Sequence, residues 1–253
     1  MKIKIFEKNI KGELTTKQLV TLIVLITSFI IILFLIYRLN LGGTTDAEIC
    51  RNSVVLRDKP LADLVAPIDC KTQYVCISGG RDCEGTTSEK IKVDPKNKNE
   101  TMKALADKMA ECWWQFGEGK ADFRANPREG GTAITCALCS LVDFDNTLQE
   151  EQPISYKEFY DYLRTTPKTN SQTYLQYLYS ENNIDFLSQN YITNNLELNK
   201  PYFILTAISK DSIWSYTPFV RLAIDPDYQP PIILEKNIEN YNAIKCDEFI
   251  TKA

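Results

Sequence analysis

Residues Leu19–Tyr37 read LVTLIVLITSFIIILFLIY, nineteen consecutive positions without a charge, interrupted only by the hydroxyls of Thr21, Thr27 and Ser28. A helix over this stretch rises roughly 28 Å at about 1.5 Å per residue, close to the roughly 30 Å hydrocarbon core of a bilayer, and it satisfies its own backbone hydrogen bonds there. The stretch reads as a transmembrane helix over 19–38, with the lipid bilayer as its partner through residues 19–37. It divides the chain into a cytoplasmic tail (1–18), the span, a short linker (39–49) and an extracytoplasmic cysteine-rich domain (50–253).

The flanks set the orientation. Lys2, Lys4, Lys8, Lys11 and Lys17 precede the span against Glu7 and Glu13, whereas Arg38 and Arg51 follow it among Asp46 and Glu48. Lysine and arginine stay on the cytoplasmic side, so the N-terminus is expected inside and the C-terminal domain outside the cell membrane. Of 29 basic and 33 acidic residues, six and two lie at or before Arg38, which leaves the remainder at −8. That balance argues against nucleic acid and against an anionic membrane surface as partners of the outer domain. Removal of the span as a signal peptide is disfavoured. Its apolar run exceeds the roughly seven to fifteen residues of such cores, and RLNLGGTTDA offers no A-x-A site.

The junction IKGELTTKQLVTLIVLI resembles the leaders of archaeal type IV pilin-like proteins, in which a basic residue and a glycine precede the cut and an apolar helix follows. The resemblance implies cleavage between Gly12 and Glu13. Where that family often has Glu at the fifth mature position, this chain has Lys17. The alternative is a plain anchor, with Gly12 ending the tail and Thr15 capping the span through its capping-box spacing to Gln18.

All eight cysteines, Cys50, Cys70, Cys76, Cys83, Cys112, Cys136, Cys139 and Cys246, lie beyond the span. An even number on one side of a membrane anchor reads as disulfides formed in an oxidising compartment. Eight cysteines allow about a hundred full pairings, so connectivity stays open. Cys136 and Cys139 form CALC, the spacing of thioredoxin-like redox pairs, whose first thiol is acidified by a helix N-terminus; the alternative is that each bonds elsewhere, for example to Cys112.

In chain order, SVVLR (53–57), TQYVCIS (72–78) and EKIKV (89–93) are β-prone, and SGGRDCEGTTS between the last two is a turn around Cys83. That turn lacks the lysine of a phosphate-binding loop and carries Asp82 and Glu84, which would repel phosphate. From Asn99, NETMKALADKMAECWWQFGEG repeats Met102, Leu105, Met109, Cys112, Trp113 and Phe116 at helical spacing, and glycines stop it. Trp113 and Trp114 are adjacent and cannot share a face; one is expected in the core and the other to cover a neighbouring segment, the alternative being an aromatic binding platform. Asn99-Glu100-Thr101 is a glycosylation sequon, and Asn99 can equally cap the helix. Asp143 and Asp145 have a calcium-loop spacing without the glycine and glutamate that complete such a loop, and are expected to be solvated.

Ser155 and Glu158 form a capping box, with Ile154 and Phe159 as its hydrophobic staple, for a helix over about 156–165; SQTYLQYLYS reads as another. YFILTAIS (202–209), FVRLAI (219–224) and IILEK (232–236) read as strands, with Pro230 and Pro231 breaking the chain before the last. The expected fold is α+β, one N-terminal transmembrane helix followed by a disulfide-stapled domain with an antiparallel sheet and about three helices.

The chain contains no histidine, which excludes Ser-His and Cys-His nucleophile systems, histidine metal sites and histidine pH switches. No cofactor or metal is expected. As a whole the chain resembles uncharacterised single-pass membrane proteins of small-genome archaea, through KGELTTKQLVTLIVLITSF, DAEICRNSVVLR, CKTQYVCISGG, CWWQFGEGK, SQTYLQYLYS and CDEFITKA. The resemblance implies an archaeal envelope and imports no activity. The expected function is a membrane-anchored surface protein with a binding or assembly role, in the pilin-like case as a filament subunit with a surface or filament protein as partner. The alternative is a membrane-tethered thiol-disulfide oxidoreductase using Cys136 and Cys139.

Overall fold

Threonine and serine hydroxyls inside an apolar helix need acceptors, and in helix α1 (Thr16–Arg38) they find them in their own backbone: Thr21 donates to the Lys17 carbonyl, Thr27 to Ile23 and Val24, and Ser28 to Leu25. None of the apolar side chains from Leu19 to Phe34 is buried. The helix is long and apolar enough to cross a membrane. The computed structural model describes residues 16–38, 45–57, 67–124, 134–209 and 228–252. Gly12, Glu13 and Thr15 lie outside them, as do linker positions 39–44 and the strand expected at 219–224.

The chain divides into two units, Met1–Thr44 and Thr45–Ala253. The second begins earlier than the expected boundary at Cys50, because the assigned linker residues Asp46–Ile49 open helix α2 (Asp46–Arg57). Thr45 and Glu48 cap it reciprocally: the Glu48 N–H donates to the Thr45 hydroxyl and the Thr45 N–H to the Glu48 carboxylate. SVVLR is therefore the end of a helix and not a strand. Its Val54–Val55 pair is β-prone, but the cap upstream and burial of Val54 override that preference.

Strands β1 (Gln73–Ser78) and β2 (Glu89–Lys92) follow, then helix α3 (Lys98–Gln115), strand β3 (Thr135–Phe144), helix α4 (Asn146–Gln149), strand β4 (Ile154–Ser155), and helices α5 (Tyr156–Thr165), α6 (Tyr174–Tyr179) and α7 (Gln189–Ile192). Strands β5 (Asn195–Leu196), β6 (Tyr202–Ile208) and β7 (Tyr228–Glu235), helix α8 (Ile238–Ile244) and strand β8 (Glu248–Phe249) complete the order. The main sheet runs β2-β1-β3-β6-β7, with β8 also pairing β3; β4 and β5 form a separate pair.

The domain is α+β as expected, but the sheet is mixed and not antiparallel. The β1/β2, β1/β3 and β3/β8 pairs are parallel, whereas β3/β6 and β6/β7 are antiparallel. Parallel neighbours need a connection that carries the chain back along the sheet, and α3 with its flanking segments supplies it between β1 and β3. Seven helices, not about three, follow α1 among the described residues. The expected three are α3, α5 and α6; α4 and α7 are single turns of four residues, too short to leave a periodic trace.

Pro230 and Pro231 do not break the chain but lie inside β7. They are tolerated because β7 ends the sheet and because the register with β6 shifts between Leu205 and Ala207, so both prolines face the single residue Thr206. The Thr206 hydroxyl donates to the Gln229 carbonyl at 2.6 Å and closes the irregularity.

Helix α3 buries the face read from its spacing: Met102, Leu105, Met109, Cys112, Trp113 and Phe116. It packs on β3, β6 and β7, with α2, α5 and α6 gathered around it. Its N-cap is Asn97 and not Asn99, since the Asn97 side chain accepts from the Asn99 N–H. Ser155 caps α5 as expected, with Ile154 and Phe159 fully buried beside it.

Four disulfides use all eight cysteines: Cys50–Cys70, Cys76–Cys83, Cys112–Cys139 and Cys136–Cys246. Their loops differ widely, from a separation of 7 for Cys76–Cys83 to 110 for Cys136–Cys246. In the chain-entropy account the long loop contributes about 4.8 kcal/mol and the short one about 2.4 kcal/mol. Replacing Cys136 and Cys246 by Ala should therefore lower stability by more than replacing Cys76 and Cys83, by a margin of about 2 kcal/mol in urea unfolding of the purified chain.

Candidate functional site

The CALC cysteines come first because their chemistry would be the most specific. Both are buried in the extended backbone of β3, and their bonds run to different partners, Cys136 to Cys246 and Cys139 to Cys112. Cys139 sits where the β3/β6 register slips between Leu138 and Ser140. A redox pair of this spacing needs its two sulfurs bonded to each other at a helix N-terminus; here they tie the central strand to α3 and to the C-terminal segment.

Asp145, expected in solvent, is 1% exposed and caps α4. Its carboxylate accepts from the Arg81 N–H at 2.7 Å, the Leu148 N–H at 3.1 Å and the Ser78 hydroxyl at 3.1 Å. Burial opposes its charge, but these donors and the Gly79 N–H outweigh it and hold the carboxyl below its ordinary value. The neighbouring Asp143 moves the other way, its carboxyl raised by burial against a partial offset from Lys236. The pair is divided between two environments and makes no cation cage.

Lys108 and three tyrosines are buried polar groups that have partners. Lys108, 5% exposed, reaches Glu89 and Glu111 at 2.5 Å each and Gln73 at 3.1 Å, which fastens α3 to β1 and β2. Tyr160, Tyr179 and Tyr191 form a buried trio in which Tyr160 bonds both neighbours, while Tyr179 donates to the Pro231 carbonyl and Tyr191 to Ile233. Burial raises all three phenols. No group of three or more His, Cys, Asp or Glu side chains suited to a metal occurs among the described residues.

Partly exposed charged and aromatic side chains gather where α2, the end of α3 and α6 meet. The Cys50–Cys70 bond fixes α2, and the next residue, Arg51, lies with its guanidinium 4.6 Å from the centre of the Trp114 ring and donates to the Trp114 carbonyl. Arg51 also faces Glu118 at 3.6 Å, and the Tyr177 hydroxyl donates to the same carboxylate at 2.8 Å. Burial, and then its bond to this carboxylate, drive the Tyr177 phenol upward. Lys168 sits over the Tyr174 and Tyr177 rings at 5.8 and 6.0 Å.

Trp113 is the core tryptophan and Trp114 the half-buried one, as their adjacency required. Sequence reasoning found Trp114 but missed Arg51, Glu118 and Tyr177, which lie far apart in the chain and signal nothing locally. The backbone offers one clue. Gly117, Glu118 and Gly119 all have positive φ, at 80°, 58° and 73°, so a side chain stands in a left-handed turn between two glycines. At Gly119 a Cβ would come within 3.0 Å of the Trp113 ring.

Comparisons with protein-family models, with curated proteins and with solved structures gave no match for the chain. Of the other sequence-level candidates, Asn99 is exposed in the first turn of α3, and Gly12 and Glu13 are outside the described residues.

Two outcomes follow. Asp145→Ala should cost about 2 kcal/mol at neutral pH, through loss of a cap and exposure of unmet donors. Because the folded-state pKa lies below the unfolded value of about 3.9, the carboxylate's stabilisation is complete above that pH and fades as pH falls through the lower folded value; acid titration of the variant should show a shallower loss in that range. At position 118, Glu118→Ala keeps the left-handed strain and loses the bonds, whereas Glu118→Gly relieves the strain. The alanine variant should be the less stable by about 1 kcal/mol in parallel urea titrations.

Proposed function

We propose that this protein is a single-pass, membrane-anchored cell-surface protein that acts by binding or assembly, with its N-terminus cytoplasmic and its disulfide-bonded domain outside. The observation that carries the reading is the pairing of an uncovered apolar helix at Thr16–Arg38 with a C-terminal unit in which all eight cysteines are oxidised. Lipid is the environment that satisfies such a helix, and an oxidising compartment is the one that forms such bonds. The excess of lysine before the helix supports the orientation.

Within this reading the Arg51, Trp114 and Tyr177 surface is the contact region. Arg, Trp and Tyr are the residue types that dominate binding hot spots; here Arg51 and Trp114 stand on helices that disulfides tie down and Tyr177 is held by its bond to Glu118, so little ordering entropy is lost on contact. Pilin-like assembly is the finer form of the proposal. It rests on the resemblance of the Gly12–Glu13 junction to type IV leaders, and an archaeal envelope rests on the whole-chain resemblance.

Intact cells treated with protease should lose epitopes in residues 45–252 while those in 1–18 persist, and maleimide applied without reductant should label no cysteine. Protection of the C-terminal unit, or labelling of most thiols, overturns the topology. A native chain that begins at Glu13 supports the filament form; one that begins at Met1 overturns that form and leaves the anchor.

A further inference from the structure

The chain holds seventeen asparagines, yet only Asn99 begins an N-x-S/T sequon, Asn99-Glu100-Thr101. The structure separates this motif from the fold's needs. The N-cap of α3 is the Asn97 side chain, and Glu100 locks that turn by accepting from the Asp94 N–H at 2.7 Å and from the Asn97 amide at 3.1 Å. Asn99 is exposed, and its carboxamide makes no hydrogen bond among the described residues, so a substituent on that nitrogen displaces no contact there.

Thr101 supplies the second, independent observation. It is 2% exposed on the inner side of α3, and its hydroxyl has no hydrogen-bond partner among the described residues. A buried hydroxyl without a partner is unfavourable where valine would fill the same space. Folding therefore gives no account of threonine at 101, whereas a sequon requires a hydroxyl there, two residues after the acceptor.

We infer that Asn99 is an N-glycosylation site, an inference that rests on the outward placement of the domain proposed above. The Asn99 Nδ2 forms a C–N bond to the anomeric carbon of an oligosaccharide carried on a polyprenyl phosphate donor. The C–O bond to the carrier breaks, the carrier phosphate leaves with the electron pair, and the amide proton passes to a base of the transferase. Because Thr101 is buried once α3 has packed, transfer occurs on the extended chain before the domain closes. The glycan then stands at the outer end of the helix around which the domain is built.

The test is mass spectrometry of the full chain purified from its native membrane, reading the tryptic peptide NETMK (99–103) and the state of the disulfides together. The expected result is a glycan mass on Asn99 in a chain with four disulfides, retained in Thr101→Ser and lost in Asn99→Gln and Thr101→Val. Asn99→Gln, which leaves the Asn97 cap in place, should still form all four bonds. An unmodified Asn99 in a chain with four disulfides overturns the site and leaves the outward placement standing. An unmodified Asn99 in a chain with free thiols overturns both.

Discussion

The Cys112–Cys139 bond joins the helix that carries most of the core to the strand at the centre of the sheet, and the other elements are disposed about that joint. Helix α3 covers β3, β6 and β7 on one side and receives α2, α5 and α6 on the other. Strand β3 also carries Cys136, bonded to Cys246 near the C-terminal end, so two of the four crosslinks converge on one strand at positions three residues apart. The remaining two fix α2 to the segment before β1 and close the β1–β2 turn. The crosslinks thus restrain the entry, the centre and the exit of the domain.

The buried reactive groups of this scaffold are largely engaged among the described residues. Every cysteine is in a disulfide, the chain has no histidine, the buried Lys108 lies between two carboxylates, and Tyr160, Tyr179 and Tyr191 bond one another and backbone carbonyls. The surface at Arg51, Trp114, Glu118 and Tyr177 differs in kind, because its groups are only partly buried and its left-handed Glu118 is held where glycine would be unstrained. Rigid aromatic and guanidinium faces suit recognition, and the membrane-anchored binding role proposed here needs no more than that.

Much of the α+β character was legible in the sequence, and the reasons are local. Helix α3 announced itself through the spacing from Met102 to Phe116, and α5 through the Ser155–Glu158 box. What stayed hidden depended on distant partners. SVVLR has the composition of a strand and became helical because of a cap eight residues upstream; the proline pair became part of a strand because that strand lies at the sheet's margin. Parallel pairing could not be read from strand composition, since it depends on how the chain returns between β1 and β3. The proposed contact surface was the least legible part, because only Trp114 carried a signal while Arg51 and Tyr177 lie on other helices.

The two margins of the main sheet bear on how copies of this protein can associate. At one margin β2 has four residues, two of them Lys90 and Lys92; at the other, two prolines lack the N–H that an incoming backbone would require. Short, cationic or proline-bearing margins resist β-augmentation, the addition of a foreign strand through main-chain hydrogen bonds. Among the described residues, addition of a foreign strand is thus disfavoured at both margins of the sheet.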